Sequence, residues 1–240
     1  MTPDRDQLLR EMGLGPVWKL RASPAAMPVA EVSPSPPAAA GPVAMAPAAA
    51  ALATPGAWQE LAAVVAACRL CRLCEARKQA VLGVGDVSAD WLFVGEGPGV
   101  EEDQRGEPFV GQAGKLLDNM LAAIGLKRGT DVYIANAVKC RPPENRTPSA
   151  EEAAACRPYL DRQIELIRPK LIVALGRPAA QTLLQTEIRI AAERGKVHDY
   201  RGIPLIVTYH PAYLLRTLQD KAKAWEDLCF MRRTMKALRP

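Results

Sequence analysis

Residues 91–114 read WLFVGEGPGVEEDQRGEPFVGQAG and join a short apolar run to a glycine-rich loop. The apolar residues at 91–94 predict a buried strand, which the loop Gly95–Gly99 cannot extend. Glycine at three alternate positions lets the backbone approach a ligand closely, although an ordinary strand-to-helix turn has the same composition. The loop is not a Walker motif, because no Gly-Lys-Ser/Thr follows it. Pro98 and the acidic run at 101–103 also exclude a dinucleotide-binding loop.

Length and composition predict one globular domain with an appendage. The chain has 240 residues, 49% of them apolar, and a formal net charge of +5. This basic excess permits nucleic-acid binding without demonstrating it. The N-terminus lacks the order of a signal peptide, and no long apolar run occurs outside an alanine-rich tract. We therefore expect a cytoplasmic protein with no membrane attachment.

The N-terminal quarter differs in composition from the rest. Residues 4–12 predict a short amphipathic helix, and residues 22–57 are almost entirely Ala, Pro, Val, Met, Gly and Ser. Such a segment buries little area and is interrupted by proline, so it predicts a flexible linker. An alanine helix over 43–53 is the alternative, although Pro47 interrupts it. The predicted organisation is a disordered extension at 1–57 and a catalytic domain at 58–240.

Short apolar runs alternate with helical patterns through the second part of the chain. Strands are predicted at 91–94, 132–138, 171–175 and 205–208, and helices at 112–124, 149–167, 178–184 and 221–238. This alternation is typical of an α/β protein. We expect a single three-layer domain in which helices flank a central four-stranded parallel sheet.

The predicted topology brings several polar residues and glycines to one edge of the sheet. The loop Gly95–Gly99, Asn136, Gly176 and His210 all lie at or just beyond predicted strand ends, where ligands bind in such sheets. A single histidine is often a structural hydrogen-bonding residue, but the place of His210 at a strand end favours a functional role. His198 lies in a charged stretch and is predicted to be at the surface.

The cysteines predict a metal or cluster site. The chain contains six: Cys68, Cys71, Cys74, Cys140, Cys156 and Cys229. In a reducing compartment this number favours metal or redox chemistry over disulfides. Two thiolates of a Cys-x-x-Cys pair can reach one centre, and two distant thiolates can complete it. Spacing alone leaves two questions open: zinc or iron–sulfur, and the pair 68/71 or the pair 71/74. Cys229 is predicted to be a core residue.

Several motifs together resemble the type-four, iron–sulfur branch of the uracil-DNA glycosylases. They are GEGPGVEEDQRGEPFVGQAGKLLDNML, NAVKCRPPENRTP, ALGRPAA and HPAYLLR, and the resemblance covers about residues 68–238. It implies a 4Fe–4S cluster bound by Cys68, Cys71, Cys140 and Cys156. It also implies a uracil pocket formed by Glu96, Gly97, Phe109, Asn136 and His210, with Glu96 and His210 as the catalytic residues.

The resemblance implies an enzyme that flips deoxyuridine out of single- or double-stranded DNA and hydrolyses its glycosidic bond. Phe109 would stack on the base, Asn136 would read it, and His210 would stabilise the departing uracil anion. Glu102 or Asp103 could crowd the thymine methyl group. We expect a monomer that contacts a repair or replication partner through its N-terminal extension. The competing hypothesis is a zinc- or cluster-stabilised nucleic-acid-binding module without catalysis.

Overall fold

The computed structural model describes residues 56–239. The N-terminal helix and the linker predicted within 1–57 lie outside the described residues, except for Gly56 and Ala57. The described part begins with helix α1, Ala57–Ala67. No helix in this part is both long and apolar enough to cross a membrane.

A mixed sheet of six strands forms the centre of the described part. In chain order the strands are β1 (Val84–Gly85), β2 (Trp91–Gly95), β3 (Val132–Asn136), β4 (Leu171–Leu175), β5 (Val197–Tyr200) and β6 (Ile203–Thr208). Their spatial order is β1-β3-β2-β4-β6-β5. The inner four pair in parallel, and the two edge strands pair antiparallel.

The predicted α/β class is confirmed, but the prediction of a four-stranded, all-parallel sheet was wrong. The two edge strands lack the sequence signal that identified the inner four. β1 has only two residues, and the VHDY sequence of β5 carries charged groups and exposes alternate side chains. Edge strands need not form a continuous apolar run, because one of their sides faces solvent.

Helices cover both faces of the sheet. After α1 they are α2 (Leu73–Ala76), α3 (Val100–Arg105), α4 (Gln112–Ala123), α5 (Ala150–Ile167), α6 (Arg177–Leu184), α7 (Ile190–Glu193), α8 (Pro211–Arg216) and α9 (Lys221–Leu238). The four long helices predicted from periodicity, α4, α5, α6 and α9, agree with these bounds to within one residue. The short helix α3 was missed, because it lies within the acidic run that follows the glycine loop.

Alternate residues of the inner strands face different helices. Trp91 and Phe93 of β2 belong to an apolar cluster that includes residues of α4 and α9. Leu92 and Val94 belong to a second cluster, formed with residues of α5 and α6. This alternation follows from the two-residue period of a strand, and it gives the three layers that the sequence predicted.

The start of α5 is fixed by a reciprocal capping pair. The Ser149 hydroxyl accepts a hydrogen bond from the Glu152 amide at 3.2 Å, and the Glu152 carboxylate accepts one from the Ser149 amide at 2.8 Å. This capping box satisfies two amides that the helix itself leaves unpaired. It therefore sets the position of Cys156, two turns into the same helix.

A buried carboxylate attaches the end of β6 to helix α9. The side chain of Asp227 is 1% exposed and accepts a hydrogen bond from the Thr208 hydroxyl at 2.7 Å. Arg194 supplies the opposite charge at 2.9 Å. Burial raises the pKa of Asp227, and the Thr208 and Arg194 contacts oppose that rise. Because Thr208 is two residues before His210, this contact fixes the strand from which His210 extends.

We expect Asp227→Ala to lower the free energy of unfolding by roughly 2 kcal/mol, because it leaves the buried Thr208 hydroxyl without its acceptor. Urea unfolding followed by circular dichroism measures the change. Glu226→Ala is the matched control, since Glu226 binds the same arginine but its side chain is 69% exposed. The control should cost under about 1 kcal/mol. Equal losses in the two variants would contradict the role given to Asp227.

Candidate active site and cysteine cluster

The loops that follow β2, β3, β4 and β6 surround one cavity of about 780 Å³. Five residues singled out from the sequence line this cavity: Glu96, Gly97, Phe109, Asn136 and His210. Gly176, at the end of β4, lines it as well. The cavity lies at the carboxyl edge of the parallel strands, where ligands bind in open α/β sheets. That these residues bind a base stays a prediction.

Two glycines, Gly95 and Gly114, allow the lining residues Asn136 and Phe109 to lie close to the backbone. A Cβ atom placed on Gly95 would lie 2.5 Å from Asn136 Oδ1 and 2.5 Å from the Phe109 ring. A Cβ on Gly114, in α4, would overlap the Phe109 carbonyl oxygen. Neither position can accept a larger side chain without displacing a residue of the cavity wall.

Phe109 is held in an unusual backbone conformation by two charged side chains. Its φ angle is +56°. Glu102 accepts hydrogen bonds from the amides of Val110 at 2.9 Å and Gly111 at 3.1 Å. Arg128 donates to the Phe109 carbonyl oxygen at 2.9 Å. Sequence reasoning missed Arg128, because it lies 19 residues away in a turn with no motif.

The carboxylates of Glu102 and Asp103 both accept hydrogen bonds from the backbone amides of neighbouring loops. The second oxygen of Glu102 accepts a hydrogen bond from the Gly99 amide at 3.1 Å, so this carboxylate joins the glycine loop to the Phe109 turn. Asp103 is buried and accepts hydrogen bonds from the amide of Lys78 at 2.9 Å and 3.1 Å. Asp103 is absent from the cavity lining, so of the two residues suggested for thymine exclusion only Glu102 borders the cavity.

Asn136 has a buried acceptor without a partner in the described part of the chain. Its side chain is 2% exposed, and Oδ1 has no hydrogen-bond partner among the described residues. A buried polar atom without a partner is uncommon and costs roughly 1–3 kcal/mol. This unpaired atom belongs to a residue that lines the cavity.

His210 is a neutral imidazole with a defined tautomer. Its Nδ1 accepts a hydrogen bond from the Ala212 amide at 3.1 Å, which caps helix α8. An accepting Nδ1 leaves the single proton of the neutral ring on Nε2, which can donate. Burial lowers the pKa of His210 to about 4; nearby Arg216 adds to this shift and Glu102 opposes it. The ring stacks on Phe109 with their centroids 5.4 Å apart.

Glu96 lies half-buried on the glycine loop. Burial raises its pKa above the usual range for a glutamate, while a hydrogen bond from Thr147 and the charge of Arg177 oppose the rise. Its main-chain oxygen accepts a hydrogen bond from the Val138 amide at 3.1 Å. The loop is therefore attached to the segment after β3 through its backbone as well as its side chain.

The rim of the cavity carries positive charge and exposed leucines. Arg177 and Arg216 are exposed and line the cavity. Leu215 is 41% exposed and Leu218 is 63% exposed, both next to this rim in the chain. Arg146 also lines the cavity, but both of its terminal nitrogens are paired with Glu152, at 2.7 and 2.8 Å.

Four cysteines gather at a second, separate pocket. Cys68, Cys71, Cys140 and Cys156 line it, and Cys74 does not. Two of these residues come from the segment between α1 and α2, one follows β3, and one lies on α5. The arrangement favours the 68/71 pair that the resemblance implied.

The surroundings of these thiols supply hydrogen-bond donors. Arg77 donates to Cys140 Sγ at 2.7 Å, and the Lys139 amide donates to Cys156 Sγ at 3.2 Å. Burial raises the pKa of the Cys140 thiol to about 11, and Arg77 opposes that rise. No three His, Cys, Asp or Glu side chains in residues 56–239 are arranged to hold a single metal ion.

Two other residues singled out from the sequence lie away from both sites. His198 was predicted to be at the surface, but it is partly buried on β5, with Nε2 at 3.3 Å from the Glu193 carbonyl oxygen. Cys229 on α9 is of intermediate exposure rather than a fully buried core residue. In both cases one face of the element is open to solvent, which the local sequence does not reveal.

The fold and the site define a class of protein: an α/β domain with a cavity at the carboxyl edge of its parallel strands, lined by hydrogen-bonding groups and an aromatic ring. The family model of the uracil DNA glycosylase superfamily matches residues 82–229. The chain belongs to this superfamily.

Three relatives are described as type-4 uracil-DNA glycosylases. The protein of Archaeoglobus fulgidus is 50% identical over 63% of this chain and 79% of its own length. That of Pyrobaculum aerophilum is 43% identical over 71% of this chain and 90% of its own length. That of Thermotoga maritima is 46% identical over 65% of this chain and 82% of its own length.

The lowered pKa of His210 predicts a loss of stability in acid. Between its ordinary value of 6.5 and about 4 the unfolded chain binds a proton that the folded protein does not, so stability falls as pH falls through this range. His210→Asn keeps a side-chain acceptor at the helix cap and removes the titration. From pH 7 to pH 4 the wild type should lose about 3 kcal/mol more than the variant, as measured by urea unfolding. Parallel losses would mean that the pKa of the ring is the same in the folded and the unfolded chain.

Proposed function

We propose that the protein is a monofunctional uracil-DNA glycosylase that releases uracil from DNA and leaves an abasic site in base excision repair. One observation carries this proposal: Asn136, which has an acceptor unpaired among the described residues, and neutral His210, which has a donating Nε2, line the same cavity. Uracil needs both kinds of group, because N3–H donates while O4 and O2 accept. The superfamily match and the type-4 relatives support the same activity.

Base recognition would depend on Phe109 and Asn136. Unstacking a base from DNA costs a few kcal/mol of free energy. Stacking of the flipped base on the Phe109 ring would offset part of that cost. Asn136 Oδ1 would accept from uracil N3–H while its amide group donates to O4. Cytosine reverses both groups, with an acceptor at N3 and a donor at N4, so the same side chain would leave it unpaired.

Bond cleavage would depend on His210 and Glu96. When the bond from C1′ to N1 breaks, negative charge develops on uracil O2 and positive charge on the sugar. A neutral His210 can donate from Nε2 to O2 where that charge appears. Glu96 would orient the attacking water or counter the cationic sugar. Within the described part no lysine lines the cavity, which favours hydrolysis without cleavage of the strand.

The rim would hold the DNA backbone. The guanidinium groups of Arg177 and Arg216 suit phosphates on either side of a flipped nucleotide. The exposed side chain of Leu215 can enter the space that the base leaves, as apolar wedges do in deformed DNA. Single- and double-stranded DNA both remain candidate substrates, and the chain is proposed to act as a monomer.

We also propose a 4Fe–4S cluster on Cys68, Cys71, Cys140 and Cys156. These four thiols line one pocket. Four cysteine thiolates are the ligand set that such a cluster uses, each binding a different iron. Such a cluster would supply structural rigidity, because the free energy of binding adds to that of folding. Arg77 and the Lys139 amide would donate hydrogen bonds to its thiolates.

The central experiment incubates the purified protein with a strand that contains one uracil. Free uracil and a site that alkali cleaves should appear, whereas matched strands with thymine or cytosine in its place should stay intact. His210→Ala should slow the single-turnover rate on the order of 100- to 1,000-fold and change DNA affinity much less. If the folded wild type binds DNA but releases no base, a non-catalytic binding module is the correct reading.

Asn136→Asp tests how the base is recognised. The substitution keeps the size of the side chain but places an acceptor opposite uracil O4, so uracil excision should fall at least about tenfold. Cytosine would present its N4 donor to the same carboxylate, and slow release of cytosine is the expected gain. Single-turnover rates on matched strands decide the matter. Undiminished excision of uracil would show that Asn136 does not read the base.

Serine substitutions at Cys68 and Cys74 test the choice of ligands. Cys68→Ser should lose iron and the brown absorption near about 400 nm. Cys74→Ser is the matched control, because Cys74 belongs to the same segment and lies outside the cysteine pocket, so it should keep its iron. The opposite result would assign the pair 71/74. Zinc without iron in the wild type would contradict the cluster itself.

A further inference from the structure

Lys139 is a buried cation that takes no part in the proposed chemistry. Its side chain is 1% exposed, and it lies between β3 and the cysteine pocket, directly before Cys140. Removing an ammonium group from water is unfavourable unless fixed acceptors replace the water. An apolar side chain of similar length would fill the space without that cost, so the acceptors of Lys139 indicate what it does.

The ammonium group has two acceptors. Nζ donates to the main-chain oxygen of Asn136 at 2.7 Å and to Oε1 of Gln163 on α5. The main chain of Lys139 adds two contacts. Its amide donates to Cys156 Sγ at 3.2 Å, and its oxygen accepts from the Val81 amide at 2.7 Å.

The Asn136 carbonyl needs such a partner because the sheet does not supply one. In the peptide between Asn136 and Ala137 the amide donates to Gly95 on β2 at 2.8 Å. The peptide is trans, so its carbonyl oxygen points away from β2. The strand on that side, β1, pairs only with Tyr133 and Ile134. Lys139 Nζ therefore donates the hydrogen bond that a neighbouring strand would otherwise supply to the Asn136 oxygen.

The orientation of the Asn136 side chain depends on this peptide. Oδ1 has no hydrogen-bond partner within the described residues, so no hydrogen bond of that atom holds it in place. Its direction is therefore set by the backbone from which it extends and by contact with Gly95 and Phe109.

We propose that Lys139 is a positioning residue for base recognition, whose ammonium group fixes the Asn136 peptide and thereby sets the direction of the Asn136 side chain. This inference rests on the proposed function, since it assigns Lys139 to the step at which uracil is read. Lys139 contacts both sites, because its amide donates to Cys156 Sγ and its Nζ donates to the Asn136 main-chain oxygen.

A double-mutant cycle tests the proposal. Lys139→Met keeps the length of the side chain and removes its donors, and single-turnover excision of uracil should fall about tenfold. Iron content, and affinity for a strand with an abasic site, should stay within about twofold of the wild type, because neither depends on the direction of Oδ1. In an Asn136→Ala background the same substitution should change the rate by less than about twofold, since the group that it positions is gone.

Equal rate losses in the two backgrounds, or loss of iron from Lys139→Met, would overturn the proposal and make Lys139 a general stabiliser of the fold. If Lys139→Met does not fold, Lys139→Met/Gln163→Met replaces it, because removing both partners avoids an orphaned Gln163 oxygen. The same pattern of losses decides the matter there. A wild type that releases no uracil contradicts the proposed function, whereas an active wild type with equal losses contradicts only the role of Lys139.

Discussion

The site depends on the close approach of β2 and β3 at their carboxyl ends. Gly95 lacks a side chain where β2 ends, so Asn136 and the Phe109 ring can both occupy the space above it. Glu102 and Arg128 hold the Phe109 turn, and the Phe109 ring stacks on His210. A larger residue at position 95 would separate the two walls that are proposed to hold the base.

Much of this arrangement was predictable from local sequence. Four apolar runs identified the inner strands, because a strand buried on both faces needs apolar residues throughout. Strand ends then predicted that Asn136 and His210 would lie at one edge, and the structure places both on one cavity. The edge strands β1 and β5 were not predictable, because solvent on one side relaxes the demand for apolar residues.

Contacts between distant residues account for what the sequence did not reveal. Arg128 belongs to no motif, and its role follows from a carbonyl oxygen 19 residues away. Lys139 lies within the motif NAVKCRPPENRTP, but its burial and its contact with Gln163 on α5 appear only in the folded chain. The cysteines are an intermediate case. Their spacing predicted a site, yet only the folded chain separates Cys74 from the four that share a pocket. The local sequence also does not predict which charged side chains pair. Arg146, for example, donates hydrogen bonds from both of its terminal nitrogens to Glu152.

The central claim is that one cavity recognises uracil through the unpaired acceptor of Asn136 and the neutral donor of His210. Competition by free bases measures this recognition without the chemical step. The protein is first saturated with a strand that contains an abasic site, and the affinities of uracil, cytosine and thymine for that complex are then compared by calorimetry. The account predicts that uracil binds at least about tenfold more tightly than cytosine, because cytosine leaves the Asn136 groups unpaired. Equal affinities for uracil and cytosine would contradict it.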